Sequence, residues 1–227
     1  MTIAAAVARY ADTIHAAAPA GHHVVSPLGA WLVIALAGSA AEDPGTRGRL
    51  EKALGMPVED AAGLAGALLD DPHPAVAAAV GLWWRSDVVT DRLTAYVSHL
   101  PREATREPLG DQAALDAWAR EHSLGLIERF PVQLRPDLLL VLASALATRV
   151  RWRQLFDLVA AAELGSGPFA GVVTRALQSV RGHDVRLVRT SAAGVVGAHV
   201  AASGDGLAVV SVLGGPEADR AAVLAAA

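Results

Sequence analysis

The chain has 227 residues, of which 53% are hydrophobic and 19% charged, and its formal net charge is −4. This composition is typical of a globular protein and excludes an intrinsically disordered chain. Basic residues are scattered singly apart from Arg149, Arg151 and Arg153, so no nucleic-acid partner is expected. The longest apolar runs, at 30–37 and 138–143, are far shorter than the roughly 20 residues of a membrane helix, so no membrane partner is expected.

Residues that could act in catalysis or bind a metal are present, but not at the spacings of known catalytic or metal-binding motifs. The chain has no cysteine, which excludes disulfides, thiol nucleophiles and thiolate metal ligands. Its eight histidines include no HExxH spacing, and neither a GxSxG nor an SxxK motif occurs. We therefore expect no metal, no cofactor and no catalytic residue, and predict that the protein is not an enzyme. Since no signal-peptide pattern begins the chain, a cytoplasmic location is favoured.

The first half of the sequence predicts helices. Apolar positions at helical spacing predict a helix over 2–17, ended by the stop signals Pro19 and Gly21. Ser26 stands before a proline, as at many helix starts, and the almost wholly apolar stretch that follows to about Ala40 predicts a buried central helix. Further helices are predicted over 47–54 with Thr46 as cap, 58–69, 90–100, and from Asp111 to Gly125.

Strands are predicted at two places in the middle of the chain. Residues 75–85 predict a buried strand, on which Trp83 and Trp84 point to opposite faces. The apolar run that opens 138–148 predicts a strand covered on both faces, central to a sheet and packed over the helix that begins near Ser26. A closing antiparallel meander is predicted from Val185–Thr190, Val195–Ala201 and Leu207–Leu213. Helices in front and strands behind favour one α+β domain over 1–227.

Four segments carry a family resemblance when they are read in order. They are HVVSPLGA at 23–30, LDAW at 115–118, LVLASAL at 140–146 and GLAVVSVL at 206–213. In this order they resemble the serpin family of serine-protease inhibitors: its buried second helix, a helix-end pattern, the third strand of its main sheet and a later strand of its second sheet. Trp152 and Phe156 are similar to aromatic positions at the exit from that third strand.

The resemblance implies an α+β fold with a bundle of helices of the A–F type packed on a main mixed sheet, beside an antiparallel second sheet. It also implies a polar cluster under the main sheet, called the shutter, which governs how that sheet opens. Ser26, Gly29 and Ser144 stand at shutter-like positions. Family members commonly have a second serine where Gly29 stands and an asparagine where Ser144 stands, so the opening behaviour expected for this chain differs.

Inhibition in this family depends on a loop that the sequence does not show. A protease cleaves the exposed reactive loop, which then inserts into the main sheet as a new strand. No residue here is identified as that loop, and the resemblance implies that the C-terminal part is absent. Residues 216–227 resemble the start of a helix without a stop signal, which favours truncation.

Three interpretations of function remain open at this point. The first is an inhibitor represented by a fragment, with a serine protease as the partner of the complete protein. The second is a degenerate serpin-like interaction module without inhibition, and the third is an unrelated enzyme. The family resemblance also bears on location, since serpins are often extracellular. Without a later neighbour the apolar strand at 138–148 becomes an exposed edge, so self-association is expected.

Overall fold

The computed structural model describes residues 2–18, 24–165, 171–179 and 184–226. Contacts divide the chain into two compact units, Met1–Arg149 and Val150–Ala227. The single domain predicted from the sequence stays a prediction. In chain order the first unit contains α1 (Ile3–Ala17), α2 (Pro27–Gly38), α3 (Pro44–Leu54), α4 (Val58–Asp70), β1 (Val76–Trp84), α5 (Asp91–His99), β2 (Thr105–Pro108), α6 (Gln112–His122) and β3 (Leu140–Thr148). The second contains β4 (Phe156–Ala160), β5 (Arg175–Ser179), β6 (Asp184–Thr190), β7 (Gly194–Ala202), β8 (Ala208–Leu213) and α7 (Arg220–Ala225).

Helix starts follow local capping chemistry, in which a side-chain oxygen accepts a first-turn amide. The caps predicted at Ser26, Thr90 and Asp111 are observed. Helix α3 begins earlier than predicted because Asp43, not Thr46, is its cap: the Asp43 carboxylate accepts from the amide of Thr46 at 2.6 Å. The stop signals predicted for the first helix, Pro19 and Gly21, lie outside the described residues.

The main sheet of the first unit has the strand order β2-β1-β3. Strand β1 is parallel to β2 and antiparallel to β3, with Val80 opposite Ser144 and Trp83 opposite Val141. Strand β2 was not predicted, because its four residues, TREP, include two charges and a proline and only pairing with β1 makes them extended.

Helices cover both faces of this sheet, as predicted for the apolar strand β3. On one face, Leu142 and Leu146 pack against the buried Trp31 and Leu32 of α2. On the other, Val141 packs with residues of α6 and with Trp83, while Trp84 faces the α2 side.

The predicted central position of β3 is wrong for the residues that the structure describes. Strand β3 begins at Leu140, not at 138, and it pairs with β1 alone, so it stands at the edge of its sheet. The apolar run indicates only that both faces of the strand are covered by other parts of the protein. Such a strand can still have an edge with no neighbouring strand.

The second unit is built from short antiparallel strands. Strands β4 and β5 form a two-stranded sheet, which the sequence did not predict. Strands β6, β7 and β8 form the predicted meander. The last helix, α7, begins after Asp219, whose carboxylate accepts from the amide of Ala222 at 3.0 Å.

Candidate functional site

The structure brings the three shutter-like residues together where α2 begins beneath β3. The Gly29 amide donates a hydrogen bond to Ser26 Oγ at 3.1 Å, and Ser144 Oγ donates to the Gly29 carbonyl at 2.9 Å. The second bond joins residues 115 positions apart. Ser26 is placed by its role as helix cap, and Ser144 by the register of β3 on β1. We call these three residues the polar latch.

Gly29 allows the close approach on which the polar latch depends. A Cβ at this position would lie 3.0 Å from both Ser144 Oγ and Ser26 Oγ, and 3.2 Å from Leu146 Cδ1. These distances are shorter than ordinary van der Waals contacts, so a side chain here would push the helix from the strand. The second serine that is common in serpins at this position would therefore fit only if Ser26, Ser144 and Leu146 moved by a few tenths of an ångström.

The chemistry of the polar latch is that of neutral hydrogen bonds. Neither serine hydroxyl bonds to a histidine or a carboxylate in the part of the chain that the structure describes. A nucleophilic serine needs such a base within hydrogen-bond reach. The arrangement can hold α2 to β3, and it has no means of activating a hydroxyl.

A carboxylate fixes the connection between α6 and β3. Asp116 Oδ1 accepts from the Gln112 side chain at 3.1 Å and from the Phe130 amide at 2.8 Å. The Gln112 side-chain oxygen in turn accepts from the Leu134 amide at 2.9 Å. The hydrogen bond from Gln112, and after it the one from the Phe130 amide, hold the pKa of Asp116 below its usual range. Sequence reasoning placed Asp116 only within a motif and did not predict this anchoring role.

The aromatic residues Trp152 and Phe156 also meet, within the second unit. Their ring centroids are 5.7 Å apart in an edge-to-face arrangement, and the His199 ring lies 5.9 Å from that of Phe156. Together with Ser179 and Ser211 they border an open hollow of about 470 Å³. His199 was missed because a single histidine on a β-prone segment carries no signal until its strand is paired.

Neither a cluster of metal ligands nor a membrane-spanning helix occurs among the residues that the structure describes. Within them, no three histidine or acidic residues are placed to hold a metal ion. None of the helices described has the length and apolar character needed to cross a bilayer.

Comparison with known proteins identifies the fold of the chain through solved structures of low sequence identity. No family model matches the chain, and no curated protein matches it by sequence. Among solved structures it is similar to tengpin, a thermophilic serpin, in the latent state, with TM-score 0.69 and 15% identity over 95% of this chain and 61% of that one. Reactive-loop-cleaved human thyroxine-binding globulin gives a TM-score of 0.71 and 11% identity, over 97% of this chain and 70% of that one.

Ovalbumin from emu (Dromaius novaehollandiae) gives a similar result, with TM-score 0.69 and 14% identity over 94% of this chain and 63% of the ovalbumin chain. The chain thus spans about three fifths of the length of tengpin and of emu ovalbumin. The helices, the order of the strands and these three likenesses agree with the resemblance found in the sequence. The chain therefore has the serpin fold over the part of that fold that it spans.

Proposed function

We propose that this chain is a non-catalytic serpin-fold protein that acts by binding other proteins, and that the 227-residue polypeptide alone does not inhibit serine proteases. The observation that carries the proposal is the open edge of β3, whose faces are covered by α2 and α6 while one side of its backbone has no strand beside it among the described residues. Such an edge accepts a further strand through main-chain hydrogen bonds.

That the protein is not an enzyme is part of the proposal, and the chemistry of the polar latch supports it. The polar latch contains no hydroxyl with a base, and the residues described hold no acidic and histidine cluster suited to a metal. An activity of the complete protein against a serine protease is the corresponding proposal for a longer chain. It would need a cleavable loop, for which no residue of this sequence was identified.

The experiment incubates the 227-residue polypeptide with trypsin, chymotrypsin and subtilisin and separates the products on a denaturing gel. We expect ordinary cleavage fragments and full residual protease activity, because no residue of this sequence was identified as a reactive loop. An inhibitory serpin run in parallel shows that the assay detects a covalent complex. A gel-stable band at the summed mass of this chain and a protease would overturn the proposal.

The proposal has two versions, a protein whose complete form inhibits a protease and an interaction module that never inhibits, and the tight packing at Gly29 favours the module. In serpins the shutter governs sheet opening, and here the position of its second serine is held by a glycine that packs closely on Ser26 and Ser144. The reading frame beyond codon 227 separates the candidates. A stop codon there supports the module, whereas a frame that continues into a serpin-like C-terminal half with a reactive loop supports an inhibitor.

A further inference from the structure

The first unit contains an apolar hollow of about 400 Å³ that the proposed function does not use. It lies between α2, α5 and the face of the main sheet on which α2 packs. Its volume falls within the roughly 300–1,000 Å³ of small-molecule sites, which are mostly apolar with a few polar groups. Most of the residues that line it are apolar, among them Val33, Ala37, Leu93, Leu140 and Leu142.

A single cation stands among the residues that line this hollow. The Arg92 guanidinium donates to the Ala40 carbonyl at 2.8 Å, and both residues belong to the lining. The bond to a backbone carbonyl fixes the guanidinium in place. The charge partner of Arg92 is Glu42, at 3.1 Å, and the two side chains are 60% and 75% exposed. Since exposed ion pairs contribute little, a ligand carboxylate that replaces Glu42 exchanges one weak pair for another, and the ligand gains mainly by burying its apolar chain.

Tyr96 is another residue of the lining. Its hydroxyl is buried and has no hydrogen-bond partner in the described part of the chain. A buried hydroxyl without a partner lowers stability, and most such groups in proteins are satisfied by a protein group, a water or a ligand. The hydroxyl is closed to solvent, so Tyr96 borders the hollow with its other atoms and the hydroxyl is not within reach of a ligand in this conformation.

We propose that this hollow binds an amphipathic carboxylate, a molecule with an apolar chain and one carboxylate group. The apolar chain lies against Leu93, Leu140 and Leu142, and the carboxylate binds Arg92 in place of Glu42. A charge-assisted hydrogen bond to a guanidinium fork gives such a ligand an advantage over a neutral molecule with the same chain. The inference is independent of the proposed protein binding, because it uses no backbone group at the edge of β3.

The test titrates the polypeptide with the fluorescent fatty acid cis-parinarate and displaces it with dodecanoate or dodecanol, all below their aggregation concentrations. We expect dodecanoate to displace the probe at a concentration about two- to fivefold lower than dodecanol, the range that an exposed ion pair supports. Arg92→Gln should weaken parinarate binding by a similar factor, and Glu42→Gln should strengthen it. Arg135→Gln, which removes a comparably exposed arginine paired with Asp137, should leave it unchanged.

Ala37→Phe tests the location, because Ala37 lies on the exposed side of α2 and a phenyl ring there fills the hollow. Circular dichroism checks that the Ala37→Phe variant is folded. A photoreactive diazirine analogue of dodecanoate locates the binding site on the unchanged protein. We expect loss of binding in Ala37→Phe and crosslinks to peptides that contain α5 and β3. The proposal would be overturned if parinarate did not bind, or if Arg92→Gln and Ala37→Phe left its binding unchanged. Crosslinks of the diazirine analogue to other parts of the chain would also overturn it.

Discussion

At the residue scale, Gly29 is the position where space decides the effect of a substitution. Replacing a helical glycine by alanine usually stabilises a helix by about 0.5–1 kcal/mol. At Gly29 the added Cβ would meet two hydroxyls at 3.0 Å, so we expect Gly29→Ala to lower the free energy of unfolding by about 1–3 kcal/mol. Gly48→Ala in α3 is the matched control, because no atom lies within 4 Å of its added Cβ.

Denaturant melts of the two glycine variants provide the measurement. The expected result is opposite signs, with Gly48→Ala more stable than the parent and Gly29→Ala less stable. Equal stabilisation by both would show that α2 and β3 are not held as closely as described.

Ser144 contributes through one hydrogen bond. Its hydroxyl is half-buried and donates to the Gly29 carbonyl, so Ser144→Ala should lower the free energy of unfolding by about 1 kcal/mol. Ser98→Ala serves as control, since the Ser98 hydroxyl makes an exposed bond within its own helix. Thermal melts should show a larger loss of stability for Ser144→Ala than for Ser98→Ala. An equal or smaller loss would show that the Ser144 hydroxyl does not help to hold α2 against β3.

Tyr96 predicts a dependence on alkaline pH. Burial raises the pKa of Tyr96 to about 12, above the ordinary tyrosine value of 10.0. The folded protein therefore holds this proton more tightly than the unfolded chain, so stability is retained below pH 10 and falls as the pH rises from 10 to about 12. Absorbance at the phenolate wavelength in a Tyr10→Phe background should show this late titration, whereas a midpoint near pH 10 would contradict the burial of the hydroxyl.

At the scale of the element, the edge of β3 predicts self-association. Between Leu140 and Thr148 the strand contains no charge and no proline, the features that usually protect an edge. We expect light scattering to show association that disappears on dilution and is reduced by Leu140→Lys at the 41% exposed Leu140. Leu126→Lys, at a more exposed leucine outside the sheet, should have a smaller effect. A strictly monomeric species at high concentration would contradict this prediction.

At the scale of the whole molecule, the two units differ in how much apolar surface each buries. The first contains large side chains that are fully buried, such as Trp31 and Leu54, whereas leucines of the second, including Leu177 and Leu187, are 63% and 76% exposed. Since local stability follows buried apolar contact, we expect slower amide exchange in β1 and α2 than in β4 to β8. Mass-spectrometric hydrogen exchange measures this directly, and uniform protection of both units would contradict it.

The sequence by itself determined the features that depend on neighbouring residues. The caps at Ser26, Thr90 and Asp111 act on amides three residues away, so the helix starts could be predicted from short patterns. The apolar run of β3 reports that both of its faces are covered, and this was predicted correctly. The order of the family-like segments predicted the serpin fold, which the comparison with solved structures confirmed.

Only the tertiary structure decided the features that depend on distant partners. Strands β2 and β4 lack strong β patterns of their own and become extended because β1 and β5 supply their hydrogen bonds. Part of the crowding around Gly29 arises from Ser144 and Leu146 on strand β3, and the sequence does not show how close that strand lies to α2. The apolar hollow likewise lies between residues of α2, α5 and β3. A sequence pattern describes one segment at a time, so it cannot show a hollow that three segments form together.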